Sequence, residues 1–231
     1  MVRCIIGLGG PLAKEFPFLR AHVGRAFVEH VADAQGFGPW RPNSVALADF
    51  AEHGSGLVLC RLWPDTTQEP IQAQHAAKQA LKYLGVRSAQ HFVLCHAELR
   101  KSCGRFDVAE GPRSAPVWAK PVIEAVSPEF TPGKKAYEQP MRIMFGVGAP
   151  SRSSLSPRMD RFRESRVSGR EANAILQSAF PAAYEWLQKR WLGPDAVTGG
   201  AVLRRKLPQD KRRQELELEA RRMRSDGAAD R

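Results

Sequence analysis

Long apolar runs are missing from this 231-residue chain: no stretch approaches the ~20 consecutive residues that a bilayer-spanning helix requires. A secretory signal is also missing, because Met1 leads directly into a strand-like run. The same fact leaves no room for an ordinary amphipathic transit peptide, only for a very short or internal targeting signal. Cysteine is scarce. Of Cys4, Cys60, Cys95 and Cys103, three lie in apolar strand-like runs and none forms a C-x-x-C pair. That pattern predicts buried, reduced thiols and a reducing compartment rather than disulfides or zinc. The six histidines show no metal-ligand spacing with the cysteines. The "GLGG" at residues 7 to 10 lacks the spacing of a dinucleotide fingerprint or a P-loop. No metal or cofactor is expected.

What is present is ordinary in one respect and not in another. The 43% apolar and 26% charged residues suit a globular protein with a sizeable core. The net charge of +11 is not ordinary, and it is clustered. From Arg204 onward, ten basic and six acidic residues carry +4 of it, leaving +7 on residues 1 to 203. Clustered positive charge points to a polyanionic partner, most often nucleic acid.

Strands and helices alternate along the chain. Strands are predicted at 2–8, 56–62, 90–96, 104–108 and 141–147, whose near-continuous apolar runs suit a sheet covered on both faces. A first helix is predicted from His22 to Ala34, with Val23, Ala26, Phe27, Val31 and Ala34 inward and Gly36 ending it. A second follows Pro70, with Ile71, Ala77, Leu81 and Leu84 inward and Gly85 as its stop. A third opens with the capping box "SGRE", Ser168 to Glu171, and carries a stripe of Ala172, Ile175, Leu176, Ala179, Phe180, Ala183 and Leu187. Pro181 falls inside it and should kink or split it. The prediction is a single three-layer α/β domain over 1–195, with a mixed, largely parallel sheet and helices on both faces. The proline-rich stretch 127–140 reads as a loop. Residues 196–231 read as a basic tail, disordered alone or helical on a partner.

Taken in order, these pieces resemble the bacterial-type peptidyl-tRNA hydrolase family. "IIGLGGPL" is similar to that family's first strand and G-L-G-N-P-G loop, and "LRAHVGRAFVEHVA" to its T-R-H-N-V-G element and helix. "LVLCRLWPDTTQEPIQAQHAAKQALKYLGV" resembles the strand, the P-x-T-F-M-N-x-S-G loop and the next helix. "FVLCHAELRKSCGRFDV" resembles the strand ending in H-D-D-L-D-L-P-x-G-K-I-R, and "RIMFGVGAPSRSSLSPRMDRF" the R-I-G-I-G-x-P strand and its loop. The resemblance implies a site for cleaving the ester between a peptide and tRNA, built from three asparagines, a histidine and an aspartate.

Carried over residue by residue, that site has lost its polar groups. The loop asparagine falls on Gly10, the histidine on Ala21 with His22 one place along, and the aspartate on Ala97. The second asparagine falls near Gln68 or Glu69, and the third on Trp118, whose ring is expected in or beside the former cleft. Ester hydrolysis needs a group to activate water and donors for the oxyanion, and these residues supply neither. The resemblance therefore implies a catalytically inactive relative. The residues open to a rebuilt site are His22, His96 and Glu98.

The basic residues carry the functional expectation. The loop from Arg152 to Arg170 holds Arg152, Arg158, Arg161, Arg163, Arg166 and Arg170, whose guanidinium forks suit phosphate. Arg105 and Arg142 are the cations left near the family's phosphate-binding positions. Arg204, Arg205, Lys206, Lys211, Arg212 and Arg213 extend the set into the tail. The reading is a non-catalytic scaffold that binds rRNA or tRNA and ribosomal or assembly proteins. Its expected host is a ribosome or an assembly particle in the mitochondrion, with cytoplasm or plastid as alternatives. An active hydrolase with a rebuilt site and a protein-only adaptor are the competing readings.

Overall fold

The structure, a computed structural model, describes residues 2–10, 18–54, 56–63, 70–109, 119, 122–123, 126, 140–148 and 162–192. Seven strands form one mixed sheet: β1 (Arg3–Gly7), β2 (Arg41–Asn43), β3 (Ala48–Glu52), β4 (Leu57–Leu62), β5 (Phe92–Glu98), β6 (Phe106–Ala109) and β7 (Met141–Gly146). Their order is β2-β3-β4-β1-β5-β7-β6. The four central strands run parallel, while β2, β3 and β6 add antiparallel edges. Both faces of the parallel core are covered, which is why its strands read as unbroken apolar runs.

One face packs under α1 (Val23–Ala34) and a C-terminal helical run. Phe27 of α1, Phe145 of β7 and Phe180 of that run meet there at centroid distances of 4.8, 5.3 and 5.0 Å. All three are fully buried, so truncating any of them to alanine should cost ~3–5 kcal/mol. The other face packs under α2 (Pro70–Tyr83) and the buried residues Ala119, Val122, Ile123 and Val126. The predicted α/β architecture with helices on both faces is the observed one.

The helices follow their sequence signals with two differences. In α1, Ala34 is exposed, and Val28 and Ala32 are buried instead. Arg25 and Glu29 are also buried, because Glu29 Oε1 accepts from both Arg25 Nε at 3.1 Å and Arg61 Nη1 at 2.7 Å. Arg61 in turn binds Asp49 at 2.8 Å, tying α1 through β4 to β3. In α2, Ala77, Leu81 and Leu84 are inward as predicted, while the Ile71 side chain lies outside the described residues.

The Ser168–Glu171 capping box is present at the start of α3 (Gly169–Ala174). A π-helical turn, Ile175–Ala179, then precedes α4 (Phe180–Leu187), and a second π turn, Gln188–Leu192, follows it. Pro181 has no N–H to donate one turn back. The widened turn, in which Phe180 N–H reaches Ile175 C=O, sits just before it. The predicted split is thus a change of helical register, and the stripe stays inward except for the half-buried Leu176.

The β2–β3 hairpin was not predicted. Its turn uses Leu47 at φ +51 and an Asn43 side chain that accepts from Ala46 N–H at 2.8 Å. Residues 127–139, most of the predicted loop, and 193–231, which include the predicted tail, lie outside the described residues.

Candidate functional site

The loop after β1 and the first turn of α1 meet at the carboxyl end of the sheet. Leu8 N–H donates to Cys95 C=O of β5 at 2.9 Å, and Arg25 N–H of α1 donates to Leu8 C=O at 3.1 Å. The loop backbone thus caps a helix whose N-cap residue, His22, makes no side-chain cap. Close approach is possible because position 24 is glycine: a Cβ there would lie 2.0 Å from the Cys95 carbonyl oxygen.

Gly10 is buried in this loop, and its neighbour decides the character of the site. A Cβ built on Gly10 would lie 2.7 Å from His22 Nε2 and 2.9 Å from Cε1. The imidazole therefore rests against the Gly10 backbone, in the space a side chain at position 10 would take. The two departures from the resemblance are one arrangement: removing the loop side chain makes room for the displaced histidine.

Ala97 is fully buried on the α1 face of β5 and offers only a methyl group. His96 and Glu98 alternate with it and face the α2 side of the sheet. His22 begins α1, on the Ala97 side, so the fold does not bring His22, His96 and Glu98 together on one face. His96 is fully buried, and its Nδ1–H donates to the Ala97 carbonyl at 2.8 Å. Burial, reinforced by the Arg142 charge, pushes this imidazole down to about 4 against that hydrogen bond. It is neutral at physiological pH. The Glu98 carboxylate accepts from Arg100 N–H at 3.1 Å and closes the turn after β5.

Among the expected phosphate contacts, Arg142 is fully buried on β7 and does not reach solvent. Burial lowers its pKa, and the Glu98 charge opposes that shift. A strand covered on both faces has no outward side, and an RNA contact by Arg142 is corrected on that ground. Arg105, Arg166 and Arg170 are exposed, and Arg163 is half-buried beside Glu164. Trp118, Gln68, Glu69, Arg152, Arg158, Arg161 and the tail cations Arg204, Arg205, Lys206, Lys211, Arg212 and Arg213 lie outside the described residues.

Sequence reasoning missed Arg20. Its buried guanidinium binds Glu171 Oε2 at 2.9 Å, Ser165 Oγ at 3.2 Å and the Val147 carbonyl, and it lies 4.4 Å over the Phe162 ring. It fixes the turn bearing Ala21 and His22 to the start of α3. Burial alone would raise the Glu171 carboxyl, but the Ser168 N–H and Arg20 bring it down to about 2. Burial and the Glu171 charge raise the Cys103 thiol, whose Sγ lies 3.5 Å from Glu171 Oε1, to about 11. Among the described residues, no three His, Cys, Asp or Glu side chains converge where a metal could sit.

The chain is similar to a solved peptidyl-tRNA hydrolase from Acinetobacter baumannii, an Arg119Gln mutant. The TM-score is 0.63 over 85% of this chain and 92% of that one, at 18% identity. The fold is peptidyl-tRNA hydrolase-like. A second A. baumannii structure gives a TM-score of 0.62 at 17% identity, and a peptidyl-tRNA hydrolase complex with N-propanol gives 0.63 at 17%. No protein-family model and no curated protein matches the chain. On this peptidyl-tRNA hydrolase-like fold, the described part of the site can hold a stacked imidazole and a buried methyl group. Among the described residues it presents no carboxylate to His22 from position 97.

Proposed function

We propose that this protein is a non-catalytic, peptidyl-tRNA hydrolase-like scaffold that binds RNA within a ribosome or a ribosome-assembly particle. One observation carries the loss of catalysis: the His22 imidazole fills the place above Gly10, while Ala21 and Ala97 have no polar side chain. A general base needs a partner to orient it and room for substrate beside it. The net charge of +11 and the exposed Arg105, Arg166 and Arg170 support the RNA partner. The compartment we propose is the mitochondrion.

Two measurements test this reading. Purified full-length protein should release no peptide from peptidyl-tRNA above background. Turnover that disappears on His22→Ala or Glu98→Ala would instead establish a rebuilt hydrolase. Affinity purification from native cells should recover rRNA and ribosomal proteins, with recovery falling steeply as salt rises. Recovery of proteins alone, unchanged at high salt, would replace the scaffold with a protein adaptor.

A further inference from the structure

Beyond the end of β5, the chain turns through Arg100 to Arg105 before entering β6. A cavity of about 620 Å³ opens between this turn and the π turn of the C-terminal run. That volume lies within the ~300–1,000 Å³ typical of small-ligand sites, so it holds more than a bare phosphate. Its cations are Arg100, Lys101 and Arg105, and its only lining acid, Asp107, is paired with Lys101. Among the described residues, neither Arg100 nor Arg105 has a carboxylate partner, and both are exposed at the rim.

The opposite wall explains why there is space. Ser178, Ala179 and Ala182 come from the π turn and the start of α4, and all three are small. Phe106 adds an aromatic surface, and Ser102 and Ser178 add hydroxyls that donate and accept. Guanidinium forks, an aromatic surface and hydroxyls together match phosphate, base and ribose.

We propose that this cavity seats one nucleotide of a single-stranded RNA segment, with its phosphate between Arg100 and Arg105. The inference rests on the RNA-binding reading above and assigns it a place apart from the loop around Gly10 and His22. A pocket this deep admits a splayed nucleotide and not the stacked edge of a duplex.

The test is anisotropy of a fluorescently labelled 12-nucleotide single-stranded RNA, titrated with full-length protein across a salt series. The double variant Arg100→Gln/Arg105→Gln should weaken binding about tenfold. It should also flatten the log–log salt slope by ~1.4, about 0.7 for each lost phosphate contact. Ala182→Trp leaves the net charge unchanged and fills the cavity, so it should weaken binding to a similar extent. Ser178→Gln is the smaller plug should the tryptophan variant not fold, and thermal melts report folding for each. RNA that binds both plug variants as it binds wild type overturns the cavity, whatever the arginine variant does. RNA that ignores the loss of both arginines does the same, and in either case the scaffold reading stands on wild-type binding. A wild-type protein that binds no RNA overturns both readings.

Discussion

Gly10→Ala separates a packed histidine from an open catalytic loop. Gly10 does not have the positive φ that favours glycine, so the substitution adds a methyl without backbone strain. That methyl would lie 2.7 Å from His22 Nε2, well inside van der Waals contact. The obstacle is the far end of a side chain, so the ring can swing away. The expected cost is therefore ~1 kcal/mol, the scale of forcing one side chain off its rotamer. Gly24→Ala gives the contrast, because its Cβ would meet the Cys95 carbonyl at 2.0 Å and neither backbone can move. That variant should lose at least ~3 kcal/mol, the upper end of overpacking costs. In a domain of this size ~1 kcal/mol lowers Tm by ~2–4 °C. The assay is a double-mutant cycle in urea. Gly10→Ala should cost ~1 kcal/mol with His22 present and ~0.3 kcal/mol or less in a His22→Ala background, a coupling within the range for touching residues. Equal costs in both backgrounds would refute the stacked imidazole, and with it the argument that the two substitutions are one arrangement.

Other groups give sharper pH signatures. The Glu171 carboxyl is held down at about 2 against an ordinary value of 4.5. Its stabilisation is complete above pH ~4.5 and is lost as pH falls through about 2, so Glu171→Gln should flatten the acid limb of urea stability below pH 5. An unchanged limb would remove the Arg20 clamp from the account. His96 has its folded pKa depressed to about 4 from 6.5, so the unfolded chain takes up the proton first and stability falls as pH drops from 6.5 toward 4. Its ring resonances should not titrate above pH 5, and a midpoint near 6.5 would contradict the burial argument. Cys103, raised to about 11, should react slowly with iodoacetamide at pH 7.5, and Glu171→Gln should speed that reaction. Fast alkylation of the unmodified protein would count against the Glu171 contact.

The order of the elements was legible because burial on both faces leaves unbroken apolar strands, and each helix carries its own punctuation. Ser168 and Glu171 mark a start, and Pro181 marks the change of register. The β2–β3 hairpin was not legible. Pro42 argues against a strand, and a turn at Leu47 has no glycine to announce its positive φ. Charges misled in the same way. Arg20, Arg25 and Glu29 read as solvent-facing by type, yet partners distant in sequence hold each of them buried, and Arg142 is buried simply because its strand has no free face. The contact between Gly10 and His22 crosses a loop, so no periodicity reports it.

The segment that loses catalytic character also supplies the new cations. Set against the H-D-D-L-D-L-P-x-G-K-I-R pattern it resembles, "HAELRKSCGRFD" keeps His96, Glu98, Leu99 and Gly104 in place. Ala97 removes one acid and Arg100 reverses another, while Lys101 stands where the pattern has leucine. Asp107 then stands at the pattern's last cation and pairs with Lys101. The positive charge has moved from β6 into the turn before it, where it faces the small residues of the π turn. Loss of a group that activates water would by itself leave a neutral surface. Reversal of charge within three residues of Ala97, beside a cavity wide enough for a nucleotide, fits a surface that has kept RNA and changed what it does with it.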